Sequence, residues 1–92
     1  MIAQVIEWEV FPAEDRQWEI DAAKTVEGVL NVYHLVNPFN GSGLTVLIMK
    51  TGTDLKKVKA AIEAKSEEVG WHRDTQPPKP KSELVYQVLR HG

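Results

Sequence analysis

VLNVYHLVNPFNGSGLTVLIM, residues 29–49, holds two runs of strand-forming residues around a turn. Val29 to Val36 is rich in β-branched and aromatic side chains, which suit a pleated, half-buried surface. Asn37-Pro38-Phe39-Asn40-Gly41-Ser42-Gly43 is a turn by chemistry, because proline fixes the approach and Asn-Gly accepts positive φ. Leu44 to Lys50 then returns, so the stretch predicts a β-hairpin with a rather long loop. On its N-terminal side, Ala13 to Glu27 carries an apolar stripe of Trp18, Ala22 and Val26, with Ile20 and Ala23 beside it. Pro12 suits a first helical turn, Glu14 and Asp15 put negative charge near the positive helix end, and Gly28 is the stop. On its C-terminal side, Thr53 or Asp54 offers an N-cap. Leu55, Val58, Ile62 and Val69 then keep helical spacing through Asp54 to Val69, with Ala61 filling the stripe and Gly70 ending it.

Beyond the helices lie two more strands. In Ile2 to Phe11, the apolar Ile6, Trp8 and Val10 alternate with Glu7 and Glu9. After a proline-containing connection from Trp71 to Glu83, Leu84 to Leu89 forms the last apolar run. The order βαββαβ predicts one ferredoxin-like α+β sandwich over residues 1–92, with an antiparallel sheet in spatial order 4-1-3-2 and both helices on one face.

Two expectations follow from that topology. The end of strand one, the hairpin loop and the exit of helix two share one end of the sheet. Pro12 to Glu14, Asn37 to Gly43 and Trp71 to Ser82 are therefore neighbours there, and long ordered loops are where function sits. Phe39, Asn40, Trp71, His72 and Arg73 become contact candidates for a ligand or partner. The second expectation concerns the sheet. With Ile6, Trp8, Val46, Ile48, Tyr86 and Val88 turned to the helices, Ala3, Val5, Leu47, Met49, Val85 and Leu89 face away. A face left in water should be more polar than that. Val5, Leu47, Met49, Val85 and Leu89 therefore mark a self-association face, which predicts a homo-oligomer, most simply a dimer.

Composition narrows the chemistry. Of 92 residues 42% are hydrophobic and 26% charged, ordinary values for a soluble globule. The longest apolar run, Leu44 to Met49, is too short to span a bilayer, and the N-terminus has no basic region leading into a long apolar segment. A cytoplasmic protein without membrane contact is the expectation. There is no cysteine, which removes disulfides, thiolate nucleophiles and sulfur-based metal sites together. A net charge of −2 gives no field to attract nucleic acid. RNA-recognition domains share the topology but stack bases on aromatics of the central strands, and Leu44 to Met49 has none.

Val26-Glu27-Gly28-Val29 closing the first helix, the Val32-Tyr33-His34-Leu35 strand, Ala60-Ala61-Ile62-Glu63 in the second helix and Gly70-Trp71 after it form a recognisable layout. Over roughly Val5 to Trp71 the chain resembles the heavy-metal-associated, copper-chaperone type of domain. That resemblance implies the fold. The family's metal-binding CxxC would fall at about Phe11 to Asp15, where this chain has no sulfur, so copper-chaperone activity is not implied.

His34 reads as a partly buried strand residue, and His91 lies at the frayed terminus. Trp71 and His72 either plug the helix end and meet solvent or line a site in which Arg73 offers a forked cation to carboxylate or phosphate. No two histidines have metal-site spacing on one helix, so neither metal nor other cofactor is expected. Glu7 and Glu9 share a strand face and read as solvated. Gly41-Ser42-Gly43 precedes a strand and lacks a P-loop lysine. Gln76 to Lys81 reads as an extended spacer. The leading expectation is a non-enzymatic binding module that self-associates. The alternatives are a small enzyme or sensor, in the manner of dimeric ferredoxin-like barrels and small-molecule regulatory domains, and a degenerate heavy-metal-associated domain. For the enzyme or sensor, His72, Arg73, His34 and the Glu7/Glu9 pair would line a site at the loop-rich end or between subunits.

Overall fold

The computed structural model describes residues 1–11, 16–70 and 79–92. Its elements are β1 (Ile2–Trp8), α1 (Gln17–Lys24), β2 (Val29–Val36), β3 (Gly43–Met49), α2 (Leu55–Glu68) and β4 (Ser82–Gln87). The strands form one antiparallel sheet in the order β2-β3-β1-β4, the predicted ferredoxin-like arrangement read from the other edge. Ala23 of α1 and Val58 of α2 close over Val32, Leu47 and Met49, so both helices lie on one sheet face.

Local chemistry sets the boundaries. Asp54 caps α2, its side chain accepting from the Lys56 N–H at 3.0 Å. The described part of α1 ends earlier than its apolar stripe suggests. The Thr25 hydroxyl donates to the Ala22 carbonyl at 2.7 Å and Val26 N–H to Ala23 at 3.2 Å, winding the helix down before Gly28. Gly28 has φ +99° and sits against Thr53, where a Cβ would run into the threonine hydroxyl. Its carbonyl accepts from Lys50 N–H at 2.9 Å, so the turn entering β2 and the turn leaving β3 are locked together.

Strand pairing decides which side chains see the helices. Trp8 lies opposite Gly43, Ile6 opposite Thr45, Gln4 opposite Leu47 and Ile2 opposite Met49, and opposed residues share a face. A Cβ at Gly43 would run into the Leu35 carbonyl of β2 and then into the Phe11 side chain, so glycine is needed where the hairpin strands and the chain after β1 close together. Leu47 and Met49 therefore belong to the core, at 1% and 0% exposure, and not to the outward face where the sequence reading put them. The misreading has a physical cause. β3 is apolar at every position from Leu44 to Met49 except Thr45, so its own sequence carries no alternation from which the facing can be read. Thr45 is itself buried because its hydroxyl accepts the Trp8 indole N–H at 3.0 Å.

The parity of β4 is shifted too. Val85 opposes Gln4 and lies on the helix side, while Tyr86 opposes Ala3 and faces away. Val46 and Ile48 likewise face away, and Leu89 lies beyond the end of β4. Val5 and Ala3 keep the outward orientation expected of them. In β2 an irregularity between Val29 and Asn31 leaves Leu30 without a cross-strand partner and lets Val29 join the core.

This register has an energetic signature. Leu47→Ala should cost about 3 kcal/mol, the usual loss for a buried leucine, whereas Val46→Ala, on the open face, should cost the separate subunit less than about 1 kcal/mol. Urea denaturation of the two variants, at equal concentrations low enough to keep subunits apart, measures the difference.

Candidate functional site

Two surfaces carry the unusual chemistry, one on each side of the sheet. On the helix side a cleft of about 360 Å³ lies between the sheet and α2. α1 packs closely on β2, but among the described residues no Cα of α2 comes within 8 Å of a strand Cα. Ala22 and Ala23, both buried on α1, are small enough for the two helices to approach each other. α2 packs along α1 and reaches the sheet through Val58, which is buried with Leu47 and Met49. Ile6, Trp8 and Leu47 form the cleft floor, and Leu55, Val58 and Ile62 its roof.

At one end of the cleft sits a charged cluster. Glu19, 5% exposed, lies on the inward side of α1, three and four residues before Ala22 and Ala23. Its carboxylate accepts from the Arg16 guanidinium and lies 2.9 Å from His34 Nε2, whose N–H donates to it. The guanidinium lies over the Trp8 ring, 5.5 Å from its centre, and 6.0 Å from that of Trp18. The Phe11 ring meets the His34 ring edge-on at 5.4 Å. A cation, a carboxylate and an imidazole are thus held together among aromatic rings, where burial demands that they be paired.

The opposite face of the sheet is open and apolar. Tyr33, Val46, Val5 and Leu84 form a continuous row across all four strands. The next row runs Asn31, Ile48, Ala3 and Tyr86, and the row on the other side Leu35, Leu44, Glu7 and Ser82. Tyr33, Leu35, Leu84 and Tyr86 are each about half exposed. Glu7, the one charged residue in these rows, is paired with Lys81 Nζ at 3.2 Å.

Of the residues singled out from sequence, His34 lies in the charged cluster, Val5 in the open face, and Phe39 and Asn40 at the hairpin tip. Phe39 is 96% exposed, and the Asn40 side chain accepts from the backbone and hydroxyl of Ser42, shaping the turn. The tip does approach the end of β1, through a bond from Phe11 N–H to the Gly41 carbonyl at 2.8 Å. Trp71, His72 and Arg73, residues 12–15 of the loop that would match a CxxC, and Pro77 of the spacer lie outside the described residues. Glu9 lies past the end of β1 and does not stand beside Glu7 on the strand. Arg16, Glu19, Thr45 and Gln4 escaped the sequence reading. A carboxylate on the same helical stripe as Ala22 and Ala23, three residues after an arginine, was the available signal. Among the described residues no group of three or more histidine, aspartate or glutamate side chains is placed to hold a metal ion. No protein-family model and no curated protein matches the chain.

Removing one member of the buried cluster leaves the others uncompensated. Glu19→Gln should destabilise the fold by roughly 3 kcal/mol, and a cycle with His34→Gln should show the two positions coupled by about 1 kcal/mol or more. Chemical denaturation of the two single variants and the double variant at neutral pH measures both quantities.

Proposed function

We propose that the chain is an interaction module that works as a homodimer, formed by packing the open sheet faces of two copies against each other. The observation that carries this reading is the uninterrupted apolar row Tyr33-Val46-Val5-Leu84, flanked by Leu35, Leu44, Ile48, Ala3 and Tyr86. An antiparallel sheet with one face in water alternates polar residues onto that face, and the three rows here carry only Asn31, Glu7 and Ser82 at their margins. At ordinary strand spacing the face measures roughly 19 by 23 Å, the size of the largest apolar patches on monomers, which are often functional.

Charge favours a second copy as the occupant. In a two-fold interface each group meets the same surface on its partner, so a face bearing unpaired charge would repel itself. Here Glu7 is neutralised within its own subunit by Lys81.

Val46 lies in the central row and tests the reading. Sedimentation of the unaltered chain at about 50 μM should give a dimer, and Val46→Glu should weaken association by about 100-fold or more, because it buries two unpaired carboxylates. A strictly monomeric unaltered chain at that concentration overturns the proposal. So does a Val46→Glu variant that dimerises as tightly as the original.

A further inference from the structure

We infer that the cleft between the sheet and α2 is a binding site for an uncharged, largely apolar molecule of one or two rings that carries a carbonyl- or ether-type oxygen. The inference does not depend on the dimer, because the cleft lies on the opposite side of the sheet from the open face. Its size comes first. An apolar cavity of roughly 150 Å³ holds benzene. At about 360 Å³ this cleft has room for a second ring, and it falls within the range of ordinary ligand sites.

The polarity of the wall gives the ligand class. Floor and roof are aliphatic and indole carbon from Ile6, Trp8, Leu47, Leu55, Val58 and Ile62. Among the described residues the charged groups around the cleft balance, with Arg16, Lys56 and Lys59 against Glu19, Glu63 and Glu83, so they select no net charge on the guest. One polar group inside is only half used. The Thr45 hydroxyl, on a residue 1% exposed, accepts from Trp8 Nε1 at 3.0 Å, while among the described residues no acceptor receives its own proton. A buried hydroxyl with an unused donor is costly, and an oxygen on the guest that accepts this proton removes the cost. Gln4, the other polar side chain on the cleft floor, opposes Leu47 on the strand next to Thr45 and sets a second polar point diagonal to the first. An oxygen-bearing apolar guest satisfies both the greasy walls and the threonine.

Amide-resolved NMR titration of the full chain with 2-acetonaphthone, a neutral two-ring ketone, tests the site. The expected result is saturable shifts centred on Gln4, Thr45, Leu47, Val58 and Ile62, with the isosteric charged probe 2-naphthoate binding more weakly. Thr45→Val should weaken acetonaphthone binding roughly tenfold and leave 2-ethylnaphthalene, which has no oxygen, unchanged. Should that variant not fold, Ile62→Trp, a change on the α2 roof, should abolish binding of both neutral probes by filling the space. Absence of saturable shifts, shifts confined to Tyr33, Val46 and Leu84, or tighter binding of naphthoate would each overturn the inference. The second of these results would place apolar binding on the open face instead, and sedimentation of the same samples distinguishes failure of the cleft from failure of the dimer.

Discussion

The hydrogen bond from the Trp8 indole to Thr45 ties the two central strands together and fixes their facing. β3 has apolar residues on both sides, so hydrophobicity alone gives it no preferred phase, and a slip by one residue would exchange its inner and outer sets. Thr45 breaks the tie. Buried without a partner, its hydroxyl would cost more than turning Val46 inward would, but opposite Ile6 and beside Trp8 it finds a donor. Gly43, opposite Trp8, secures the same register from the turn, since the Leu35 carbonyl and the Phe11 side chain occupy the space a side chain would need. Leu47 and Met49 then go into the core as a consequence.

The same register decides what lies on the two sides of the sheet. Inward, it aligns His34 with Thr45 and so brings the imidazole within reach of Glu19 on α1. The Arg16–Glu19–His34 cluster contributes little net stability for its own sake, because the attraction among buried charges is largely offset by their desolvation. Its effect is on position. A carboxylate that must meet both a guanidinium and an imidazole holds α1 at one place over β2. Outward, the register collects Tyr33, Val46, Val5 and Leu84 into one row, which no helix covers.

The fold was legible in the chain, and the facing of its strands was not. Period-two alternation in Ile2 to Trp8 and helical stripes ending at Gly28 and Gly70 are local signals, and they recover the element order and hence the topology. The apolar outer face was legible as a sum over both sides of the strands. Its membership was not, because parity in β3 and β4 depends on hydrogen-bond partners in β1 that are distant in sequence. Val85 turned inward and Tyr86 outward for that reason alone. The charged cluster was hidden in another way. Arg16 and Glu19, three residues apart on a short helix, have the pattern of a solvated surface pair, and only packing against Trp8 and His34 makes them a buried one.

The cleft and the open face share one layer of strands, so their side chains are adjustable separately while both rest on one backbone. Side chains alternate along each strand, and a change at Val46 alters the open face without altering the cleft, while a change at Leu47 does the reverse. What the faces share is the backbone between them. A sheet held between two copies loses freedom to twist, and the floor of the cleft is that same sheet. Pairing of open faces should therefore stiffen the floor on which Trp8, Thr45 and Gln4 are set, reducing the ordering that a guest would otherwise have to impose. The roof belongs to the same core as the floor, since Val58 of α2 is buried with Leu47 and Met49 and Leu55 and Ile62 pack beside it, so the register that places Leu47 inward also seats α2.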